Sequence, residues 1–267
     1  NKEDGSYMYE SLDITNKNEI NRVLNLYKPN VVFNTAAMTN VDLCEEERFL
    51  CDSLNVDAVS YLADSCLAID AHLIHISTDF IFDGDNGPYI EDDIPNPLSY
   101  YGESKLKSEK LLYNHKCKWS ILRTIVLFGV ADNLSKNNIV LWAKNQLENL
   151  NKINIIDDEY RAPTLAEDLA EACILTAQKK AYGIFHVSGK DLMSIYDLVV
   201  AVANFYNFDV NLINRISSKE LNQKAKRPTK TGFILDKVKR VLNFSPHSFN
   251  ESLEIIERQL KIKKLEK

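Results

Sequence analysis

Three side chains that could act on a carbonyl group lie within residues 73–113: Thr78, Tyr101 and Lys105. Tyr101 and Lys105 are four positions apart, so on a helix they share one face. A lysine ammonium beside a tyrosine lowers the pKa of the phenol, and such a phenol can protonate a carbonyl oxygen as a hydride reaches the carbon. Thr78 would hydrogen-bond the same oxygen. Because no side chain supplies a hydride, this chemistry requires a nicotinamide cofactor.

The spacing Tyr-x-x-x-Lys is weak by itself, since a chain with 12 tyrosines supplies about one such match by chance. The context is more specific. Ser77 and Thr78 follow a short apolar run, a loop with Gly84 and Gly87 comes next, and Tyr101 opens a helix. From the residues alone two interpretations stay open: a reductase site, or a surface tyrosine and lysine on an amphipathic helix.

The elements that would position these groups are apolar runs of strand length alternating with helical patterns. VVFNTAA (31–37), LIHIS (73–77) and WSILRTIVLFG (119–129) read as strands buried on both faces. Residues 41–70 and 101–115 between them have helical spacing, which predicts βαβ units and a parallel sheet. Thr78 would then lie at the carboxyl edge of the sheet, where ligands bind. His75, inside the second strand, is expected to be a satisfied core histidine.

Further helices are predicted from periodicity and capping residues. Thr15 is the expected cap of a helix with an apolar face at Ile20 and Leu24, and Thr164 with Glu167 is the expected capping box of a later helix. Residues 133–150 and 250–267 are also expected to be helical.

Composition limits the function classes. The chain has 267 residues, 45% of them hydrophobic, a charged fraction of 26% and a net charge of −6, as in ordinary soluble proteins. No apolar run is long enough for a membrane span, no signal-peptide pattern is visible, and the five cysteines form no CxxC pair. We therefore expect a cytoplasmic protein with no metal, no membrane and no nucleic-acid partner. RNA binding through the basic segment 224–240 is a less favoured alternative.

The central stretch, STDFIFDGDNGPYIEDDIPNPLSYYGESKLKSEKLL, resembles the signature of the extended short-chain dehydrogenase/reductase superfamily, and most closely the dTDP-4-dehydrorhamnose reductase family. The similarity covers most of residues 12–256. It includes LDIT, PNVVFNTAAMTNVDLCEEE, LRTIVLFG, IIDDEYRAPTLAEDLA, YGIFHVSG and KRPTKTGFILDKVKRVL, in the family's order.

The resemblance implies an α/β fold, a Rossmann-like doubly wound parallel sheet with a smaller C-terminal substrate lobe. Residues 1–152 would form the NAD(P)-binding domain and 153–267 mainly the substrate lobe, with 164–189 packing back on the Rossmann sheet. Such proteins begin with a strand and a GxxGxxG turn that seats the pyrophosphate. The printed sequence holds only eight glycines and no such turn. We expect the full-length chain to carry it upstream of Asn1, the other explanation being a truncated protein that no longer binds cofactor.

The implied function is reduction of a 4-keto nucleotide-sugar by NADPH or NADH, in a protein that could form homodimers. The leading candidate is the dTDP-4-dehydrorhamnose reductase activity of dTDP-L-rhamnose and polysaccharide biosynthesis. The catalytic residues implied are Thr78, Tyr101 and Lys105. The cofactor-binding residues implied are Asp13, Ile14, Ala36, Ala37, Met38, Asn55, Ser77, Tyr101 and Lys105. The substrate-binding residues implied are Thr39, Val41, Thr78, Asp79, Phe80, Val126 and Arg227.

Three departures from the family pattern concern the sugar pocket. Phe80 stands where a tyrosine is usual, Val126 where a tryptophan is usual, and Arg161 where a glycine is common. They leave the substrate less well defined than the reaction. Two alternatives therefore stay open: a nucleotide-sugar epimerase or other keto-sugar reductase, and a non-catalytic regulatory subunit that uses the same fold.

Overall fold

The computed structural model describes residues 8–131 and 138–265. Its helices are α1 Lys17–Tyr27, α2 Val41–Glu46, α3 Arg48–Asp52, α4 Ala58–Ala68, α5 Tyr100–Tyr113, α6 Ile139–Glu148, α7 Ala166–Gln178, α8 Ile195–Tyr206, α9 Asp236–Leu242 and α10 Phe249–Leu265. Its strands are β1 Val31–Asn34, β2 His72–Thr78, β3 Lys118–Thr124, β4 Leu127–Phe128, β5 Ile153–Ile156, β6 Tyr160–Arg161, β7 Thr164–Leu165, β8 Gly183–His186, β9 Met193–Ser194, β10 Ile213–Ile216 and β11 Lys230–Thr231.

The main sheet of the described chain has the order β1-β2-β3-β8, with every pair parallel. His72 lies between Val31 of β1 and Lys118 of β3. The chain crosses from β1 to β2 through α2, α3 and α4, and from β2 to β3 through α5. The predicted βαβ units and parallel sheet are therefore confirmed.

Helices cover both faces of this sheet. Successive strand residues point to opposite faces: Leu73 packs in one cluster with Ile20 and Leu62 from α1 and α4, whereas Ile74 packs in another with Leu169 and Val238 from α7 and α9. The sheet is thus doubly wound, and the predicted fold class is confirmed.

A second packed region is built from C-terminal elements. Strands β5 and β10 pair in parallel, and α6, α8 and α10 bury Val140, Val202 and Leu253 in a separate core. A small sheet of order β11-β6-β9 lies in the same half of the chain. This region has its own core, whereas β8 and α7, which also follow residue 153, belong to the main sheet and its cover.

Two predicted helix caps are wrong, because the side chains concerned make hydrogen bonds other than the predicted ones. Asn16 rather than Thr15 caps α1, accepting from the backbone N–H groups of Asn18 and Glu19. Thr164 does not cap α7, because its hydroxyl donates to the carbonyl of Ile125 at 2.7 Å.

Two predicted strands also differ from expectation. β1 ends at Asn34 and lies at the edge of the described sheet, where Phe33 is 44% exposed rather than buried. The third run is interrupted at Val126, whose φ of 37° lies in the left-handed region that β-branched residues rarely adopt. Of the predicted helices 133–150 and 250–267, residues 133–137 and 266–267 lie outside the described range. In the part of the chain that is described, no helix is both long and apolar enough to cross a bilayer.

Candidate active site

The end of β2 and the start of α5 meet closely. Ser99 caps α5, its hydroxyl accepting from the N–H of Gly102. A side chain at position 102 would overlap the backbone carbonyl of Phe80, so only glycine lets the first turn of α5 pack this tightly. This contact places Tyr101 beside the residues that follow β2, and the Tyr101 ring lies edge-on to Phe80 with centroids 5.7 Å apart.

A cavity of about 450 Å³ opens at the carboxyl ends of β1, β2 and β3. It collects most of the predicted site residues, including all three predicted catalytic side chains. The lining residues are Thr35, Ala37, Thr39, Val41, Ile76, Ser77, Thr78, Asp79, Phe80, Tyr101, Lys105, Thr124, Val126, Leu127 and Leu169.

The Tyr101 phenol is half-buried at this cavity. Burial raises its pKa, the neighbouring Thr78 hydroxyl lowers it, and the Asp79 carboxylate raises it again. The expectation that Lys105 lowers the pKa of Tyr101 below its ordinary value is therefore wrong for this structure, because desolvation prevails. The phenol keeps its proton at neutral pH.

Lys105 is buried, and its ammonium is turned toward β2. Nζ donates to the carbonyl of Ile76 at 2.7 Å and lies 3.0 Å from Nε2 of His75. Burial lowers the pKa of Lys105 to about 8, while Glu109 and Cys51 act in the opposite direction. Within the described chain Lys105 forms no ion pair, because the Glu109 carboxylate is bound to Arg123.

Thr78 and Asp79 form a connected pair at the end of β2. The Thr78 hydroxyl donates to Asp79 Oδ1 at 3.1 Å and accepts from the N–H of Phe80 at 3.2 Å. Asp79 also accepts from the Thr231 hydroxyl and lies 3.9 Å from Arg161 Nε. To donate to a ligand, the Thr78 hydroxyl must therefore turn away from Asp79.

Ser77 differs from its neighbours. It is buried and lines the cavity, yet its hydroxyl has no hydrogen-bond partner among residues 8–131 and 138–265. Buried polar groups are normally paired. An unpaired hydroxyl on a cavity wall is one that a ligand can satisfy.

Comparison with known proteins identifies the family to which this chain belongs. Residues 3–261 match the family model described as the RmlD substrate binding domain. The dTDP-4-dehydrorhamnose reductase of Aggregatibacter actinomycetemcomitans is 34% identical over 260 residues, which is 93% of this chain and 87% of that protein. The chain belongs to the RmlD family. The predicted resemblance is thereby confirmed.

Two other relatives extend the comparison. The crystal structure of dTDP-4-dehydrorhamnose reductase from Bacillus anthracis in complex with NADP superposes with a TM-score of 0.86 at 28% identity, over 93% of this chain and 87% of that chain. Methionine adenosyltransferase 2 subunit beta of Bos taurus is 34% identical over 205 residues, or 74% of this chain. The match spans only 61% of that subunit.

Some site residues predicted for this RmlD-family chain lie beside the cavity wall and not on it. Asn55 is buried and bonds both backbone groups of Met38, accepting from its N–H at 2.8 Å and donating to its carbonyl at 3.1 Å. Ala36 is exposed, and its N–H donates to the Asn34 side chain. The hydrogen bonds of the Asn55 side chain thus fix the segment from which Ala37 and Thr39 line the cavity.

The remaining predicted site residues, Asp13, Ile14 and Arg227, make contacts outside the cavity. The Asp13 carboxylate accepts from the N–H and hydroxyl of Thr15, and Ile14 packs against the α1 and α4 core. Arg227 forms a two-pronged ion pair with Asp42, with the shorter contact at 2.8 Å.

Several residues of the RmlD-family site were missed by sequence reasoning. Thr35, Ile76, Thr124, Leu127 and Leu169 line the cavity without having been predicted. Thr124 could have been found, because it ends β3 as Thr78 ends β2. Leu169 could not, because only the folded chain brings α7 to the cavity. His75 was predicted to be a satisfied core residue, and its contact with Lys105 was not foreseen.

Proposed function

We propose that this chain is an NAD(P)H-dependent reductase of a 4-keto nucleotide-sugar, with dTDP-4-dehydrorhamnose reductase as the leading activity. The carrying observation is that Thr78, Tyr101 and Lys105 meet in one cavity at the carboxyl ends of parallel strands. This is the place where open α/β sheets bind ligands. The reductase of the same name in A. actinomycetemcomitans supports the assignment.

The residues present fit a nicotinamide dinucleotide. Among the described residues, Ser77 offers an unpaired hydroxyl, Lys105 a buried cation without a carboxylate partner, and Ala37 a small side chain on the cavity wall. We assign these with Tyr101 to the cofactor, together with Ala36, Met38 and Asn55 along the segment after β1 and Asp13 and Ile14 near the adenine. NADPH and NADH both stay in the proposal, and the B. anthracis structure contains NADP.

The chain's own groups then handle the carbonyl oxygen. Bound reduced nicotinamide would supply the hydride. Tyr101 holds its proton at neutral pH, as a general acid must, and gives it to the oxygen as negative charge develops there. Thr78 turns its hydroxyl from Asp79 to the same oxygen and fixes its position. Lys105 holds the ribose, and its positive charge favours the phenolate that Tyr101 leaves behind.

The substrate side of the cavity is more apolar. Phe80, Val126 and Leu127 line it together with Thr39 and Val41. We propose that this wall accepts the sugar of dTDP-4-dehydro-6-deoxy-L-mannose, whose 6-deoxy carbon is a methyl group. Asp79 orients Thr78, and Arg227 would contact the diphosphate, because a guanidinium matches phosphate oxygens.

The division into lobes, the location and the oligomer are part of the same proposal. Residues 1–152 would form the cofactor domain and 153–267 the substrate lobe, with 164–189 returned to the main sheet; the pairing of β8 with β3 supports this return. The described cysteines are all free thiols, which is typical of a reducing compartment and supports a cytoplasmic location. We also propose a homodimer and a role in polysaccharide biosynthesis.

Two other functions stay in view. An epimerase or a reductase of another keto-sugar would use the same three catalytic groups. A non-catalytic regulatory subunit is the other alternative. Its support is the 34% identity to methionine adenosyltransferase 2 subunit beta, which spans only 61% of that subunit, so it is less well supported than the reductase.

The test is to incubate the purified protein with NADPH or NADH and a panel of keto-sugar nucleotides, following the loss of reduced-nicotinamide absorbance. We expect turnover with dTDP-4-dehydro-6-deoxy-L-mannose and a rate about 10²–10⁴-fold lower in Tyr101→Phe, which lacks the acid. Tyr100→Phe is the matched control, because its hydroxyl bonds Asp52 and Lys107 and does not line the cavity. Absence of cofactor binding and turnover, with co-purification of a methionine adenosyltransferase catalytic subunit, would favour the regulatory alternative.

A further inference from the structure

Of the residues that the structure describes, two groups of β2 hold Lys105, and neither is an acid. Its Nζ donates to the Ile76 carbonyl and lies 3.0 Å from Nε2 of His75. Lys105 and His75 are both buried, with 2% and 1% of their surfaces exposed. The imidazole is therefore the side chain that faces the Lys105 nitrogen most directly.

The neighbours of His75 decide where its proton lies. Asn34 Oδ1 accepts from the N–H of Ala36, so Nδ2 of Asn34 is the atom that faces His75 Nδ1 at 3.1 Å. An amide NH₂ only donates, so Nδ1 must accept, and the proton of a neutral ring lies on Nε2.

Ser108 agrees with this assignment from the other side of the ring. Its hydroxyl donates to the carbonyl of Lys105 at 2.7 Å, which leaves its oxygen lone pairs toward Nε2 of His75 at 3.2 Å. An oxygen that has already donated its proton can only accept there. Burial also keeps the ring neutral, because it lowers the pKa of His75 well below its ordinary value, and Lys105 acts in the same direction.

The Nε2–H of His75 then points toward Lys105 as well as Ser108. An ammonium has three N–H groups and no lone pair, so it is repelled by this N–H, whereas a neutral amine accepts from it. Two other groups favour the ammonium, because Glu109 from α5 and Cys51 from α3 raise the pKa of Lys105. The hydroxyl of Ser108 and the amide of Asn34 carry no charge.

We propose that Asn34 and His75 are positioning residues for Lys105, with the Nε2–H tautomer of His75 holding the lysine in place and favouring its uncharged amine before ligands bind. The effect of the His75 tautomer on catalysis rests on the proposed function, in which Lys105 assists Tyr101. The effect of the tautomer on the charge of Lys105 is independent of that function.

The decisive measurement is the ¹⁵N NMR spectrum of the histidine rings in the ligand-free protein, with His75 assigned by His75→Gln. We expect an unprotonated Nδ1 and a protonated Nε2. The opposite tautomer would overturn the inference whether or not the protein is a reductase. If the tautomer is as expected and no keto-sugar is reduced, the proposed function fails and the inference stands.

A second measurement follows the ¹⁵Nζ shift of Lys105 with pH. The wild-type midpoint should lie at about 8. In Asn34→Asp a carboxylate, which only accepts, draws the proton to Nδ1 and turns the Nε2 lone pair to Lys105, so the midpoint should rise by about one unit or more. If Lys105 assists Tyr101, the basic limb of the kcat/KM profile, which reports the free enzyme, should move with it.

The matched control is His72→Gln. His72 lies on the same strand and is also buried, but its Nε2 pairs with Ser120 at 2.7 Å and it does not line the cavity. This variant should leave the Lys105 midpoint unchanged. If Asn34→Asp fails to fold, His75→Phe replaces it. That variant removes the opposing N–H and should also raise the midpoint, and an unchanged midpoint would contradict the role of the ring.

Discussion

Helix α5 contributes to two buried regions that differ in how completely their charges are paired. Toward its C-terminal half, Glu109 binds Arg123 through both oxygens, at 3.0 and 2.7 Å, and Arg123 also reaches the Glu91 carbonyl and the His186 ring. One turn earlier, Lys105 has a carbonyl and an imidazole but no carboxylate partner within the described chain. Both cations are almost fully buried.

The difference distinguishes a charge that stabilises the fold from a charge that can act on a ligand. Removing a charge from water is costly unless a partner and hydrogen bonds offset the loss. Arg123 has this compensation, and it ties α5 to β3 and β8. Lys105 lacks it and borders the cavity, which is where incompletely compensated groups are expected when they act on ligands.

The largest loss of stability should come from breaking the fully paired Glu109–Arg123 ion pair. Glu109→Gln leaves Arg123 buried without a carboxylate, so we expect the free energy of unfolding to fall by about 3–5 kcal/mol. Urea titration followed by circular dichroism measures it. Glu103→Gln is the control, because Glu103 is exposed on the same helix and its change should stay within about 0.5 kcal/mol. Equal losses in the two variants would contradict the comparison.

The incompletely paired Lys105 should make the free energy of unfolding depend on pH. The pKa of Lys105 falls from 10.5 to about 8 in the folded protein. From pH 8 to 10.5 the unfolded chain binds a proton that the folded chain does not, so the free energy of unfolding rises with pH, by on the order of 3 kcal/mol. Lys105→Met should remove this rise and make the protein more stable below pH 8. Lys107→Met, on the exposed side of α5, should retain the rise. An identical pH slope in wild type and Lys105→Met would refute the assignment.

Two serines test the same contrast on a smaller scale. Ser108 has both of its hydrogen-bonding roles filled, whereas Ser77 has no partner within the described residues. Ser108→Ala should lower the free energy of unfolding by about 1–2 kcal/mol, while Ser77→Ala should leave it unchanged or raise it by up to about 1 kcal/mol. Calorimetry should show weaker NAD(P)H binding in Ser77→Ala. If Ser77→Ala is the more destabilised variant, Ser77 is structural and not a ligand contact.

The sequence predicted the parallel βαβ arrangement of the sheet and the outline of the site. Apolar runs predicted β2 and β3, and the rule that ligands bind at strand ends placed Thr78 correctly. The helical spacing of Tyr101 and Lys105 brought both to the same cavity. These predictions succeed because burial and periodicity are local properties of the chain.

The parts that failed depend on contacts between distant segments. Thr164 has the sequence of a helix cap, but Ile125 takes its hydroxyl. The pKa of Tyr101 moves upward because desolvation, which no spacing reveals, outweighs its neighbours. No local pattern indicated that Arg227 pairs with Asp42, far earlier in the chain, and the contact of Arg227 with a diphosphate stays a prediction.

The smallest effect concerns this Arg227–Asp42 pair, a third kind of cation that is paired but partly open to solvent. Its side chains are 17% and 37% exposed, so Asp42→Asn should lower the free energy of unfolding by only about 0.2–1 kcal/mol, and less at high salt. Arg227 is then freer to bind the substrate diphosphate, so KM for the nucleotide-sugar should fall in Asp42→Asn and rise in Arg227→Leu with kcat little changed. Steady-state kinetics of the two variants checks this. An unchanged KM in both would remove Arg227 from the substrate site and return the pair to the structural class, because a cation that serves only the fold should affect stability and not KM.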